Sequence, residues 1–255
     1  MNLSHLLNKS SFMTQHDTLF AKPLPSISDF CFDQQVVEVF PDMINRSVPG
    51  YSSILQTLPQ LVSRYVQPNS NLYDLGCSLG AATLAMRKGC EQTSHCRIIG
   101  VDNSQPMIER ARLHLEGFKS QIPAELHCQD LAETDIENAS VVVLNFTLQF
   151  IPQEKRNDII QRIFDGMNNG GALLLAEKVR HSDANMNDVL VDLHHNFKRA
   201  NGYSELEISQ KRAAIENVMK VDTLEDHMQR FQDAGFRHST VWFQCFNFAA
   251  MLAVK

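Results

Sequence analysis

The chain has no surplus of basic residues. Its 255 residues include 23 Lys and Arg against 29 Asp and Glu, a formal net charge of −6 with an isoelectric point near 5.9. A protein that grips a phosphate backbone normally carries a cationic excess. Direct nucleic-acid binding is therefore disfavoured, and a small molecule is the expected partner. The sequence also lacks a C-x-x-C pair: its six cysteines stand at 31, 77, 90, 96, 128 and 245. Three of them sit in apolar stretches that read as core, and Met1 to Met13 contains no continuous apolar segment of the kind an export signal needs. A disulfide framework is not expected, and a reduced, cytoplasmic setting is. No apolar run approaches the ~20 residues that span a bilayer. Glycine and proline are sparse, at 11 and 9 residues, and 44% of the chain is hydrophobic, which excludes a largely disordered or fibrous protein. At roughly 100–200 residues per domain, with α/β folds running longer, the length suits one domain plus decoration.

Residues 1–50 contain Pro23, Pro25, Pro41 and Pro49, which interrupt helix, and a dense set of Phe20, Phe30, Phe32 and Phe40. They read as an irregular but ordered arm packing on the domain or over a ligand, frayed before His16, with Met13 as an alternative start. From Ser52 to Tyr65, apolar residues recur at helical spacing. The period then changes. Short strands are expected at Asn71–Leu75, Cys96–Val101, Ala124–Cys128, Ala139–Asn145 and Ala172–Ala176. Helices are expected at Ala81 to about Lys88, Gln105–Leu115 and Lys155–Met167, with a turn at Gly170-Gly171. The β-branched run of Ala139–Asn145 suits a strand buried on both faces. This alternation predicts a mostly parallel, doubly wound α/β sheet. A helical insertion at about 184–219 and a helix at Leu224–Ala234 follow. His238–Phe243 and Phe248–Val254 read as a closing antiparallel hairpin of edge strands.

The chemistry concentrates at three strand ends. Tyr73 to Ala82 (YDLGCSLGAA) is a strand ending in a Gly-rich turn that opens a helix, which brings backbone N–H groups close to a ligand. Asp102-Asn103 follows Gly80 by 22 residues at the end of the second strand, where a carboxylate can accept from both ribose hydroxyls. Asp130-Leu131, after the third strand, can read an adenine amino group. Two other readings share the first segment. Gly76 to Gly80 matches the G-x-S-x-G nucleophile elbow, but too few strands precede it. It also approximates a dinucleotide fingerprint, but Ser78 replaces the glycine that lets backbone approach a pyrophosphate. Asp74 before the turn better suits a positively charged amino-acid moiety. A nucleotide without a pyrophosphate is favoured.

Together Asp74 to Gly80, Asp102 and Asp130 resemble the class I S-adenosyl-L-methionine (SAM) methyltransferases, whose Rossmann-like fold ends in a reversed strand. On that likeness residues 51–255 form the SAM-binding domain. Longer blocks are more specific: VVEVFPDMI at 36–44, RSVPGY at 46–51, DLGCSLGAAT at 74–83, VLNFTLQF at 143–150, FKRANGYSELEISQKR at 197–212 and WFQCFNF at 242–248. These resemble the bacterial carboxy-SAM synthase family from about His16 onward, and the first dozen residues depart from its pattern. The resemblance implies conversion of SAM and prephenate to carboxy-SAM with release of phenylpyruvate. A tRNA-modifying partner enzyme would then use carboxy-SAM to carboxymethylate a wobble uridine. It also implies that Tyr51, Gly76, Cys77, Ser78, Asp102, Asn103, Asp130, Leu131 and Asn145 contact the SAM skeleton. Arg212 would pair with the new carboxylate and, in a homodimer, come from the other subunit. An arginine is the best bidentate partner for a carboxylate. Read from the chain alone, Arg212 is a solvated helix residue and Asn145 a cap or turn residue. No general base stands out, so no catalytic residue is assigned, and hydroxide leaving prephenate is the expected acceptor of the methyl proton. A conventional small-molecule methyltransferase and a SAM-binding scaffold for the tRNA enzyme are the rival readings.

Three further groups draw attention. His194-His195, near Asp188 and Asp192, suggest a metal site, but neighbours on a helix point about 100° apart, so no metal is expected. Lys198-Arg199 reads as a solvated helix face in preference to an anion site. Trp242, Phe243, Phe246 and Phe248 read as core or dimer interface.

Overall fold

The computed structural model describes residues 15–255. The expected fraying and alternative start at Met13 fall outside the described residues. Helices α1 (Gln34–Ser47) and α2 (Tyr51–Tyr65) precede an alternation of β1 (Asn71–Leu75), α3 (Ala81–Gly89), β2 (Arg97–Asp102), α4 (Gln105–Glu116), β3 (Ala124–Cys128), β4 (Ala139–Asn145), α5 (Gln153–Gly166) and β5 (Met167–Arg180). Then come α6 (Ala184–Ala200), α7 (Glu205–Glu216), β6 (Asp222–Thr223), α8 (Leu224–Ala234), β7 (His238–Cys245) and β8 (Phe248–Val254). The sheet runs β3-β2-β1-β4-β5-β8-β7, with β6 pairing beside the end of β5. The first five strands are parallel, and β8 lies antiparallel between β5 and β7.

The pleat of β4 sorts the core. Val142 and Leu144 face α5 and α8, joining Ile160, Ile163 and Phe231. Val141 and Val143 face α2 and α3, joining Leu58, Val62 and Met86. Period-two alternation thus puts one apolar layer on each side of the sheet, which is why a near-continuous Val run was needed there. The strand order reverses beside β1, so the crevice at the carboxyl ends of β1 and β4 is where such a sheet takes ligands.

Three expectations need correction. Residues 34–47 form a helix despite Pro41, because Asp33 caps it through the backbone N–H groups of Gln35 and Val36, both at 3.0 Å, and Val36, Val37, Val39 and Met43 are buried. Pro41 removes one internal hydrogen bond, a loss this packing offsets. Gly170-Gly171 is not a turn between helix and strand. β5 already begins at Met167, opposite Ala139, and the glycines form an irregularity within it, where Gly170 has φ +77° and donates its N–H to the Lys255 carbonyl at 2.9 Å. The helical insertion expected at about 184–219 is present as α6 and α7, separated at residues 201–204, with Ser204 and Glu207 forming a capping box that restarts α7. Only β7 of the terminal hairpin is an edge strand, since β8 is hydrogen-bonded on both sides.

Candidate active site

The loop after β1 is fixed from below. The N–H groups of Gly76 and Cys77 donate to the Val101 carbonyl at 2.7 and 2.9 Å, and Gly80 closes the turn on the Cys77 carbonyl at 2.8 Å. Gly76 (φ +82°), Ser78 (φ +47°) and Gly80 (φ +82°) all adopt left-handed backbone. A Cβ on Gly76 would also overlap the Thr147 side chain, so glycine is required twice over at that position. Asp102 ties this loop to the next helix: Oδ2 accepts from Ser78 N and Oδ1 from Ser104 N, both at 2.9 Å. Burial raises its pKa, and these two bonds counteract the rise. Asp130 starts a short 3-10 turn at Leu131–Glu133, its Oδ1 accepting from Ala132 N at 2.9 Å.

Asp74 is fully buried behind the loop, and Thr83 Oγ1 donates to its Oδ2 at 2.6 Å. Burial pushes its carboxyl up to about 6. Its other oxygen, Oδ1, has no partner, and neither has Asn145 Oδ1 at the end of β4. Beyond Asn145 the chain turns through Phe146, at φ +61°, and is held by Glu177 of β5, which accepts from Leu148 N at 2.8 Å and Gln149 N at 2.9 Å. Burial raises the Glu177 carboxyl to about 8. Tyr51 stacks toward Phe146 with ring centres 6.2 Å apart, and burial, with Asp74 adding, raises its phenol pKa.

These strand ends open into a cleft of about 830 Å³. Tyr51, Gly76, Cys77, Ser78, Asp102, Asn103, Asp130, Leu131, Asn145 and Arg212 all line it. Arg212, exposed on α7, reaches it within the same chain. The volume lies in the upper part of the ~300–1,000 Å³ common for ligand sites. The residues present fit SAM: the Asp102 carboxylate lines the cleft at the end of β2, and Asn145, whose Oδ1 has no partner, lines it at the end of β4. Ser78 Oγ donates to Met107 Sδ at 3.4 Å and has no imidazole partner among the described residues, which removes the nucleophile-elbow reading.

As expected of an arm packing over a ligand, Phe30 and Phe32 reach the cleft and pack edge-to-face at 5.2 Å. Several other lining residues escaped the sequence reading. Lys178, Lys211 and Phe248 line it as well. So does Lys198, which corrects the solvated-face expectation: it is 9% exposed, while Arg199 stays on the surface paired with Glu205 at 2.5 Å. Its burial depends on α1 and α7, which no local pattern encodes. His194 is also buried, its Nε2 2.8 Å from the Ser47 carbonyl. Of the aromatic group, Phe248 belongs to the cleft, whereas Trp242 and Phe243 pack beside Ile54 and Phe146.

Comparison with known proteins agrees with this geometry. A methyltransferase-domain family profile matches residues 72–171. The carboxy-S-adenosyl-L-methionine synthase of Idiomarina loihiensis is 86% identical over 243 residues, spanning 95% of this chain and 100% of the relative. The enzyme of that name from Aeromonas hydrophila is 61% identical over 95% of this chain and 97% of its own length. Among solved structures, human N-acetylserotonin methyltransferase in complex with SAM superposes with a TM-score of 0.57 at 16% identity, covering 87% of this chain and 55% of that one. A putative O-methyltransferase from Nostoc punctiforme gives 0.59 at 16% identity, over 87% and 59%. Likeness at that identity speaks for the class I SAM methyltransferase fold alone. Among the described residues no helix is long and apolar enough to cross a membrane, and no cluster of His, Cys, Asp or Glu could hold a metal ion.

Proposed function

Because this chain belongs to the carboxy-S-adenosyl-L-methionine synthase family and is a SAM-dependent enzyme, we propose that it converts SAM and prephenate to carboxy-SAM, phenylpyruvate and water. The observation that carries the reading is the meeting in one cleft of the SAM-type strand ends with Arg212, a permanent cation suited to a new carboxylate. Asp102, Asn103, Asp130, Leu131 and Asn145 hold the nucleoside, with Tyr51 and Gly76 to Ser78 against the remainder of SAM. Prephenate loses its ring carboxylate as carbon dioxide and its hydroxyl as hydroxide, and becomes aromatic. Hydroxide takes a proton from the SAM methyl, leaving a sulfonium ylide whose carbon bonds to the carbon dioxide. Aromatisation drives the sequence, so the chain's tasks are positioning and exclusion of water. The aromatic arm residues Phe30 and Phe32 suit the second task.

The product then serves, on this reading, as donor for carboxymethylation of a tRNA wobble uridine by a partner enzyme in the cytoplasm. We further assign a homodimer, supported by the exposed apolar stripe Met186, Val189 and Leu193 on α6. Mass spectrometry of the ligand released from purified protein incubated with SAM and prephenate tests the reaction. A species heavier than SAM by one carbon dioxide, formed together with phenylpyruvate, is the expected result. Unchanged SAM, or S-adenosylhomocysteine formed with an added acceptor, overturns it in favour of a conventional methyltransferase.

A further inference from the structure

Among the described residues, two amines in the cleft have no carboxylate within ion-pair distance. Lys178 leaves β5 opposite Phe248 of β8, and its Nζ lies 6.0 Å from the centre of the Phe248 ring. On α6, His194 and Lys198 stand one turn apart and both line the cleft, with the His194 ring edge-on to the same Phe248 at 4.8 Å. Among the described residues, neither the Lys178 nor the Lys198 amine has a hydrogen-bond partner or a carboxylate within ion-pair distance. Lys211 differs, for its Nζ donates to Ser47 Oγ at 2.9 Å and lies 3.9 Å from Asp17 Oδ2. His194 cannot supply the missing charge either. Burial, with Lys198 and Lys178 adding, lowers its pKa strongly, so the ring stays neutral and its Nε2–H is spent on the Ser47 carbonyl.

Holding a desolvated ammonium without an anion is unfavourable. This chain holds two, from separate elements, beside one aromatic wall and facing a cavity rather than a packed core. Burial also pushes Lys178 down to about 8, with Arg212 adding, and Lys198 down to about 7, with Lys211, Lys178 and Arg212 adding and the more distant Asp17 opposing. Both amines therefore gain most when an anion arrives. The reaction above calls for two carboxylate sites. The ring carboxylate of prephenate is transferred, whereas its side-chain carboxylate remains on phenylpyruvate. Arg212 accounts for only the first.

We propose that Lys178 and Lys198 form a second anion subsite, walled by Phe248, that holds the side-chain carboxylate of the aromatic co-substrate. The inference rests on the prephenate reading, and phenylpyruvate, which keeps only that carboxylate, isolates it. The experiment is calorimetric titration of phenylpyruvate into S-adenosylhomocysteine-loaded protein, with prephenate turnover followed on the same preparations. Lys178→Met and Lys198→Met keep the apolar stems and remove the charges, so folding is expected to persist, and a thermal melt with S-adenosylhomocysteine titration checks it. Lys198→Arg is the charge-retaining control should the Met variant fail that check. The expected result is phenylpyruvate binding weakened roughly tenfold or more by either Met substitution, with Arg212→Ala changing it by less than about threefold. If the Met variants bind phenylpyruvate like the parent while prephenate still turns over, the subsite is overturned and the synthase reading stands. A parent protein that turns over prephenate without binding phenylpyruvate overturns the subsite in the same way. If the parent neither binds phenylpyruvate nor consumes prephenate, both fall together.

Discussion

Asp102 does two things with one carboxylate: it closes the Gly-rich loop through Ser78 N and starts α4 through Ser104 N. An amide in its place keeps one acceptor and turns an N–H₂ toward a backbone donor. Asp102→Asn is therefore expected to weaken SAM binding by roughly ten- to a hundredfold, since hydrogen bonds to a charged group contribute about 1.5–3 kcal/mol. Equilibrium titration with SAM reads the loss, and binding within a factor of about two of the parent would sink the ribose-site assignment. Asp102 and the glycines around Cys77 were legible in the chain because strand, turn and helix follow one another within a few residues. Lys198 was not. A Lys-Arg pair near a helix end looks solvated until α1, with Ser47, and α7, with Lys211, are brought over it from more than a hundred residues away and from the next helix, respectively.

The arm and α7 act as one element. Gln210, 5% exposed, accepts from Leu24 N at 2.8 Å and donates to the carbonyls of Phe20 and Lys22, both at 2.9 Å. Phe30 N donates to the Ala214 carbonyl at 2.9 Å, and Ser104 Oγ donates to the Phe32 carbonyl at 2.6 Å. The residues that strap the arm thus alternate along α7 with Lys211 and Arg212 of the cleft. Gln210→Ala is expected to cost about 1.5–4.5 kcal/mol and to free the arm selectively, because three hydrogen bonds of about 0.5–1.5 kcal/mol each are lost. Hydrogen exchange should quicken across residues 17–33 while β1, β4 and β5 keep their protection. Uniform quickening in the sheet would mean that the strap is part of the global core. Reading residues 1–50 as irregular overlooked α1, since prolines were weighed as breakers without the Asp33 cap and the Val36, Val37, Val39 and Met43 face that hold that helix. β4 and the centre of β5 were legible because their burial is written as runs of Val and Leu.

At the scale of the whole molecule, a net charge of −6 coexists with a cleft lined by Lys178, Lys198, Lys211 and Arg212. The cationic interior concentrates the field where small anions enter, while the acidic exterior discourages polyanions. The proposed homodimer makes a prediction of its own. Arg212→Ala and Asp102→Asn proteins should each be nearly inactive. If the arginine crosses the interface, exchanging their subunits restores one working cleft per heterodimer, or about a quarter of the parent turnover. No recovery after verified exchange would assign Arg212 to its own chain, where the isolated subunit already brings it to the cleft.

The place of β8 has a consequence for how the protein is made. This strand is the last of the described elements in the chain, yet it lies inside the sheet between β5 and β7. During synthesis β5 therefore emerges with one edge unpaired. It stays so while α6, α7, β6, α8 and β7 follow, some 67 residues between Arg180 and Phe248. An apolar strand edge left open for that long is a template for another chain. Only when Phe248–Val254 leaves the ribosome can the edge be sealed, and the same residues bring Phe248 to the cleft. Completion of the sheet and completion of the binding site are thus a single late event in the life of the nascent chain.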